Sequence, residues 1–192
     1  IKEVSPTSLI AEPEVHVLSL LYRKTFKSIK IRITTDKKRF LRCLTLPRIK
    51  TLKNFVSTDK PVVIENMQED ETCAILFTSG GTGKPKGVCY SHKIFTEQTR
   101  ILKDVFGLNS DDVDLPGFPL FSLFTLCMGM TSVIPDMDPS KPSLADPIKL
   151  TKNILDNNVT FAAGSPAIWK NLIDYCNHHN IQFETLKSLV MF

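Results

Sequence analysis

Ten consecutive residues at 78–87, Thr-Ser-Gly-Gly-Thr-Gly-Lys-Pro-Lys-Gly, restrict the chemistry of this chain more than any other feature. Phosphate groups are bound by convergent backbone N–H donors, hydroxyl groups and positive charge. The glycines allow close backbone approach, Thr and Ser supply hydroxyls, and the lysines supply charge. Gly87 is expected to let the chain turn back into a strand. The predicted phosphate contacts are Thr78, Ser79, Gly80, Gly81, Thr82, Gly83, Lys84, Lys86 and Gly87.

Two other phosphate-binding loops do not fit this segment. The P-loop of nucleotide triphosphatases needs a glycine five residues before the Gly-Lys pair, and a Ser or Thr after it. Thr78 and Pro85 occupy those two positions here. The dinucleotide fingerprint Gly-x-Gly-x-x-Gly fails on spacing. The remaining alternative is a glycine-rich hairpin without a ligand, which this composition directly after an apolar strand disfavours.

Composition indicates an ordinary globular protein. The chain has 192 residues, 42% of them hydrophobic and 23% charged, and this is enough to bury a core. The formal net charge of +4 does not indicate nucleic acid, and we expect no such partner. Basic residues concentrate between 23 and 60 without alternating aromatics. That region is interpreted as a solvated face, with attraction to phosphates or to anionic lipid headgroups as the alternative.

The cysteines and histidines argue against disulfide or metal sites. The five cysteines are scattered, odd in number and without a Cys-x-x-Cys pair, which favours a reducing compartment. His178 and His179 are adjacent, so on a helix they point in different directions and no metal site is predicted. We therefore expect a cytoplasmic protein, with peripheral membrane contact left open.

The segment 115–135 carries no charged residue and is long enough to span a bilayer. Pro116, Gly117 and Pro119 interrupt its beginning, and Gly129 interrupts its end. The favoured interpretation is a strand end, a turn, a short buried helix and a second strand.

Helix signals recur along the chain. Pro13 is predicted to open the first helix, Ser91 to cap the second, Pro147 to open the third and Pro166 the fourth, with Gly107 ending the second. Val15, Leu18, Leu21 and Tyr22 form an apolar stripe in the first helix, and Ile148, Ile154 and Leu155 are expected on the buried side of the third. The second helix is expected to run through Phe95, Thr99, Leu102 and Phe106, and the fourth to carry Ile168, Leu172, Ile173 and Cys176.

Strands are predicted at 29–33, 61–64, 73–77, 87–90 and 159–163, with a buried strand at 186–192. The strands at 73–77 and 87–90 flank the glycine loop, so the loop is expected to be a hairpin-like connection. Strands that alternate with helices indicate an α/β fold with a mostly parallel sheet. The chain lacks an initiator Met and ends within an apolar run, so we expect a fragment of a longer protein.

Residues 78–87 resemble the signature loop of the acyl-adenylate-forming superfamily, which includes acyl-CoA synthetases, luciferases and peptide-synthetase adenylation domains. Gly81 stands where that family usually has Ser or Thr. Weaker binding of phosphates is the resulting hypothesis, which the ATP affinity of a Gly81→Ser variant tests. The resemblance implies that residues 1–192 are part of the large N-terminal adenylation domain, with a basic region at 1–70 and the core at 71–192.

The resemblance continues beyond the loop. Pro119-Leu120-Phe121 resembles the next core motif of the family, with Ser122 in place of the usual His. It implies that Phe121 and Ser122 border the acyl pocket. The segments 114–121, 133–139 and 164–167 are similar to one branch, the olefin β-lactone synthetases.

The resemblance implies an activity and its cofactors. ATP, with Mg²⁺ bound mostly through it, would activate a fatty or β-hydroxy fatty acid as an acyl-adenylate. A β-hydroxyl on the chain would then close a β-lactone, or coenzyme A would be acylated in the alternative. The adenine- and ribose-binding segments and the catalytic lysine of the family fall outside the chain, so little turnover is expected from these residues alone. A truncated, non-catalytic nucleotide-binding or interaction module is the alternative of another class.

Overall fold

The computed structural model describes residues 1, 3–35, 49–52, 65–78 and 85–191. They belong to two compact units, Ile1–Glu65 and Asn66–Phe192. The predicted strand at 61–64 and Cys43 lie outside the described residues.

The first unit contains strands β1 (Ser8–Ala11), β2 (Ile31–Thr34) and β3 (Ile49–Thr51) and helix α1 (Pro13–Leu21). The strands pair in parallel in the order β1-β2-β3. Pro13 opens α1 as predicted, because the first helical position needs no N–H donor.

The predicted apolar face of α1 is wrong within this unit. Leu18, Leu21 and Tyr22 are 46%, 74% and 60% exposed. The buried positions are Pro13, His16 and Ser19. The reason is a polar attachment to β2: His16 Nε2 lies 3.1 Å from the carbonyl oxygen of Ile33, and Arg32 donates to Ser19 Oγ at 2.7 Å.

The second unit alternates strands and helices, which confirms the predicted α/β class. Its elements are β4 (Thr72–Thr78), β5 (Lys86–Ser91), α2 (His92–Phe106), β6 (Val113–Pro116), a 3-10 turn (Pro119–Phe121), α3 (Ser122–Cys127), β7 (Thr131–Ser132), a second 3-10 turn (Pro142–Leu144), α4 (Pro147–Asp156), β8 (Phe161–Gly164), α5 (Pro166–His179) and β9 (Ser188–Met191). β4 and β5 form an antiparallel pair, whereas four strands form a parallel sheet in the order β7-β6-β8-β9.

Local capping explains why these helices start where the sequence predicts. Ser91 Oγ accepts a hydrogen bond from the N–H of Ile94 at 3.3 Å. Asp146 Oδ1 accepts from the N–H of Ile148 at 2.9 Å, and Pro147 follows it. Gly107 ends α2 in the left-handed conformation, with φ of +63°.

The uncharged segment 115–135 has the predicted order of elements, but its short helix is only partly buried, because Leu123 and Leu126 are 45% and 53% exposed. It contains the end of β6, a 3-10 turn, α3 and β7. Within the described ranges, no helix combines the length and apolar character needed to cross a membrane.

One face of the four-stranded sheet packs against α4 and α5. Leu115 and Ala162 of the sheet are fully buried there, together with Leu150, Ile154, Val159, Ile168, Trp169 and Leu172. Burying one large apolar side chain contributes about 1.5–3 kcal/mol, so this layer is the main apolar core of the unit. Trp169 also donates from Nε1 to the carbonyl oxygen of Val190 at 3.2 Å.

The predicted buried side of α4 is correct only in part. Ile154 is buried as expected, but Ile148 and Leu155 are 60% and 49% exposed. These two positions lie away from the stripe that α4 places on the sheet, which consists of Leu150, Thr151 and Ile154. In α5, Ile168, Leu172 and Cys176 are buried and Ile173 is 40% exposed.

β9 was expected to be buried and instead is half-buried. Among the described strands it pairs with β8 alone, so it lies at the edge of the sheet. Met191 is 48% exposed. The position of β9 at the edge of the sheet accounts for its lower burial. The apolar content of a strand does not indicate whether the strand lies at an edge.

Candidate functional site

The strands that flank the predicted phosphate loop form the expected hairpin-like pair. Thr78 lies opposite Lys86, and Phe77 lies opposite Gly87. The side chain of Lys86 is exposed at the beginning of β5. Six predicted phosphate contacts, Ser79, Gly80, Gly81, Thr82, Gly83 and Lys84, lie outside the described residues. Phosphate binding by residues 78–87 therefore stays a prediction.

Gly87 lies inside β5, within the predicted strand at 87–90. A Cβ atom on it would lie 3.0 Å from Ile75 Cγ2 and 3.3 Å from Phe77 Cε1. The glycine therefore leaves room for two side chains of β4 directly beside the loop.

A cavity of about 530 Å³ lies beside the second face of the four-stranded sheet. Elements β4, β5, α2 and α3 contribute to its wall, and the sheet contributes Phe161, Ala163 and Val190. The apolar lining includes Leu76, Phe77, Val88, Phe95, Leu102, Phe106, Leu108, Phe118, Leu120, Phe121, Leu123 and Phe124. Concave, mostly apolar sites with a few polar groups are typical of small-molecule pockets.

Aromatic rings form a continuous part of this wall. Phe95 of α2 stacks on Phe124 of α3, with ring centroids 5.1 Å apart. Tyr90 lies 5.5 Å from Phe95, and Phe121 lies 6.3 Å from Phe124. Offset and tilted aromatic pairs add to the attraction from burial alone, so the rings hold α2 and α3 in position around the cavity.

The two residues predicted to border an acyl pocket differ in placement. Phe121 lines the cavity. Ser122 is buried, and its hydroxyl donates to the carbonyl oxygen of Pro119 at 2.6 Å. The cavity wall includes both neighbours of Ser122, namely Phe121 and Leu123, but not Ser122 itself.

Four polar side chains line the otherwise apolar cavity: Tyr90, Gln98, Asp114 and Thr125. Asp114 of β6 is 1% exposed, and the Thr125 hydroxyl donates to its Oδ2 at 2.6 Å. Burial raises the pKa of Asp114 to about 6, and the hydrogen bond from Thr125 offsets part of that rise. Asp114 Oδ1 and Gln98 Oε1 are buried without a hydrogen-bond partner.

A second buried carboxylate, Asp112, lies just before β6 and is fully hydrogen-bonded. It is 2% exposed and accepts from Lys187 Nζ at 2.8 Å and from the Thr160 hydroxyl at 2.9 Å through Oδ1. Its Oδ2 accepts from the N–H of Asn109 at 3.0 Å. Burial alone would raise the pKa of Asp112, but these hydrogen bonds lower it below its ordinary value.

Histidine and cysteine side chains do not assemble a metal site in the described part of the chain. No three His, Cys, Asp or Glu side chains come together there. His179 packs its ring against Tyr175, with centroids 4.4 Å apart.

Sequence reasoning missed the polar groups of the cavity. Asp114 belongs to the segment 114–121 that carries the resemblance, and an aspartate between Val113 and Leu115 in a strand is a recognisable signal. A charged side chain in the apolar stretch of a strand is rarely buried without a specific function or partner. Gln98 lies on a helix among polar residues, and nothing in the sequence distinguishes it.

Comparison with known proteins places the chain in a family. The sequence pattern of the family described as AMP-binding enzyme matches residues 2–192. The chain is 51% identical over 106 residues to an olefin beta-lactone synthetase of Xanthomonas campestris pv. campestris, covering 55% of this chain and 19% of that protein. It is 39% identical over 170 residues to an olefin beta-lactone synthetase of Stenotrophomonas maltophilia, covering 88% of this chain and 30% of that protein.

A less similar sequence and two solved structures extend the comparison. A long-chain-fatty-acid–CoA ligase of Thermus thermophilus is 32% identical over 126 residues, covering 64% of this chain and 23% of the ligase. The crystal structure of the anthranilate CoA ligase AuaEII with anthranoyl-AMP superposes with a TM-score of 0.76 at 15% identity, covering 99% of this chain and 36% of that one. Apo MbtA of Mycobacterium smegmatis superposes with a TM-score of 0.74 at 20% identity, covering 97% of this chain and 33% of MbtA.

The chain matches only 19% to 30% of the length of the two synthetases. The match to the family nevertheless extends over residues 2–192, and the fold is shared with the two solved structures. The chain belongs to the AMP-binding enzyme family.

Proposed function

We propose that this chain supplies the phosphate-binding loop and the acyl pocket of an enzyme that converts a fatty acid to an acyl-adenylate. One observation carries the proposal. The strands that flank the predicted loop, β4 and β5, also line the apolar cavity, through Leu76, Phe77, Val88 and Tyr90. Phe77 is the residue before Thr78, so the cavity wall and the loop share one strand end.

The residue types of this hairpin support nucleotide binding. Lys86 is an exposed cation at the loop end of β5, opposite Thr78. Lys84 and Lys86 would neutralise phosphate charge, while Thr78, Ser79 and Thr82 would donate hydrogen bonds from their hydroxyls. Mg²⁺ typically binds through substrate phosphates and one or two carboxylates rather than in an all-protein cage.

The reaction is a displacement at phosphorus. An oxygen of the substrate carboxylate attacks the α-phosphorus of ATP, the bond from that phosphorus to the bridging oxygen breaks, and pyrophosphate leaves. The chain's contribution is to position the acyl group in the apolar cavity and to stabilise the charge of the leaving pyrophosphate.

We propose β-lactone formation as the second step, on the strength of the similarity to the two olefin beta-lactone synthetases. The oxygen of a β-hydroxyl would attack the acyl carbon, the carbon–oxygen bond to AMP would break, and the hydroxyl proton would be released. Transfer to coenzyme A is the second candidate, favoured by the similarity to a fatty-acid–CoA ligase.

Product analysis of the full-length protein tests both steps. Incubation with ATP, Mg²⁺ and either 3-hydroxyhexadecanoic acid or hexadecanoic acid plus coenzyme A should release pyrophosphate, measured enzymatically. Mass spectrometry then separates β-lactone from acyl-CoA. Absence of carboxylate-dependent pyrophosphate release with both acids contradicts the adenylation proposal, and acyl-CoA without lactone contradicts the second step.

We also propose a reducing, cytoplasmic compartment. Cys73, Cys89, Cys127 and Cys176 are free thiols in the structure. Free thiols are typical of reducing compartments. Cell fractionation that recovers the protein only with exported or integral membrane proteins would contradict this assignment.

A further inference from the structure

Two buried hydrogen-bond acceptors in the acyl cavity have no partner in the protein. They are Asp114 Oδ1 on β6 and Gln98 Oε1 on α2, and both residues line the cavity. A buried acceptor left unpaired costs about as much as a lost hydrogen bond, and native structures keep few of them. Two such atoms at one cavity indicate that a ligand supplies the missing donors.

Asp114 is held with one oxygen free. The Thr125 hydroxyl donates to Oδ2 at 2.6 Å and also lies 3.2 Å from the carbonyl oxygen of Ser122. Oδ1 has no such contact. Because Asp114 is 1% exposed, bulk solvent does not reach its carboxylate. Thr125 therefore fixes the carboxylate group through Oδ2, and a hydroxyl that reached Oδ1 would satisfy its unused acceptor position.

The chemistry of the cavity restricts the ligand. The wall near the sheet is apolar and includes Leu102, Phe161 and Ala163, so most of the ligand must be apolar. A carboxylate beside Asp114 would be repelled by like charge. The donor that fits is an uncharged hydroxyl group on an apolar chain, oriented so that the hydroxyl rather than the carboxylate of the same molecule faces Asp114.

We propose that Asp114 Oδ1 accepts a hydrogen bond from a hydroxyl group on the acyl chain of the substrate, with Gln98 as the second polar contact, so that the cavity selects hydroxylated acids. This inference rests on the proposed adenylation of an acyl substrate in this cavity. Asp114 is then a specificity-determining residue that contacts the substrate.

The test compares two acids of equal length in the full-length protein. The rate of pyrophosphate release is measured with 3-hydroxyhexadecanoic acid and with hexadecanoic acid, for the wild type and for Asp114→Leu. The wild type should prefer the hydroxy acid by roughly tenfold to a hundredfold in kcat/KM, the effect of one hydrogen bond to a charged group. Asp114→Leu should lose that preference while retaining activity on hexadecanoic acid. Gln98→Leu should lose part of it.

Controls separate recognition from folding. Asp104→Asn changes an exposed aspartate of α2 and should leave both rates unchanged. Asp114→Asn keeps the shape of the side chain and one acceptor oxygen, so it should retain part of the preference if Asp114→Leu fails to fold. The proposal is overturned if Asp114 variants lower both rates equally, or if the active wild type does not distinguish the acids.

Failure of the adenylation proposal gives a different result. Neither acid would then support pyrophosphate release, and calorimetric binding of the same two acids to wild type and Asp114→Asn would test the inference by itself. Tighter binding of the hydroxy acid to the wild type, reduced in Asp114→Asn, supports it. Equal binding of both acids overturns it.

Discussion

The same strands form both faces of the four-stranded sheet, but side chains are closely packed on one face and border a cavity on the other. Leu115 and Ala162 project towards α4 and α5 and are fully buried in a packed layer. Their neighbours Asp114 and Ala163 project to the other side, where a cavity of about 530 Å³ lies beside α2 and α3. Alternation along a strand therefore separates a face that stabilises the fold from a face shaped for a ligand.

The packed face also explains how the fold can tolerate destabilising features on the second face. A layer containing Trp169, Leu150, Ile154, Ile168 and Leu172, each no more than 1% exposed, makes a large apolar contribution to stability. An unpaired buried carboxylate oxygen and an open cavity both lower stability. Functional sites commonly carry such unfavourable features while the surrounding fold compensates for them.

The largest effect that tests this comparison is expected at Trp169. Trp169→Ala removes a fully buried ring and its hydrogen bond to the carbonyl oxygen of Val190. We expect a loss of about 3–5 kcal/mol in the free energy of unfolding, because a large cavity opens in a close-packed layer. Urea unfolding followed by far-ultraviolet circular dichroism measures it.

Phe118→Ala is the matched control on the cavity face. Phe118 is 46% exposed and already borders empty space, so its truncation should cost less than about 1.5 kcal/mol. Equal losses for the two variants would show that both faces stabilise the fold alike and would remove the distinction between them.

The second prediction concerns the pH dependence that Asp114 confers. Because burial raises its pKa from 3.8 to about 6, the folded state holds the proton more tightly than the unfolded state. The associated stability is present below about pH 4 and is lost as the pH rises through about 6. Asp114→Asn should therefore raise the free energy of unfolding by about 1–3 kcal/mol at pH 8 and by little at pH 4.

Urea titrations of wild type and variant at both pH values measure that difference. Asp104→Asn, which alters a side chain that is 60% exposed, should change little at either pH. A stability difference that is the same at pH 4 and pH 8 would mean that Asp114 carries no burial cost. Among the described residues that line the cavity, Tyr90 is the other side chain with an ionisable group.

Local signals made much of the fold predictable from sequence. Ser91, Asp146 and Pro13 act on donors within the next few residues, so the beginnings of α2, α4 and α1 follow from short patterns. The antiparallel pair around the loop was predictable for the same reason, since its strands are close in sequence.

Long-range contacts made the rest unpredictable. Lys187 donates a hydrogen bond to Asp112, which lies 75 residues away in the sequence, and no local sequence pattern predicts that contact. The face that α1 buries depends on the contact between His16 and the carbonyl oxygen of Ile33. Because of that contact, Leu18 and Leu21 of the apolar stripe are exposed. The same distinction applies to the candidate site. The phosphate-binding loop could be predicted from its composition, whereas the position of Asp114 at a cavity could be found only from the fold.

The third prediction compares Asp114 with the fully bonded Asp112. Lys187→Met removes one of the donors to Asp112, which is 2% exposed, and should cost about 1–2 kcal/mol at pH 7. The pKa of Asp112 lies below its ordinary value, so the stability from its bonds is present above about pH 4 and is lost as the pH falls through the folded pKa. The cost of Lys187→Met should therefore shrink in strong acid, opposite in direction to the change at Asp114.

Lys149→Met provides the surface counterpart, because its partner Asp136 is 62% exposed and the pair lies in water. It should cost no more than about 0.5 kcal/mol, the usual contribution of an exposed ion pair. Differential scanning calorimetry at pH 7 and pH 3 ranks the two variants. If Lys187→Met cost no more stability than Lys149→Met, the hydrogen bond from Lys187 would not stabilise the Asp112 carboxylate. The difference between Asp112, whose two oxygens are hydrogen-bonded, and Asp114, which has one unpaired oxygen, would then depend on the hydrogen bonds from Thr160 and Asn109 alone.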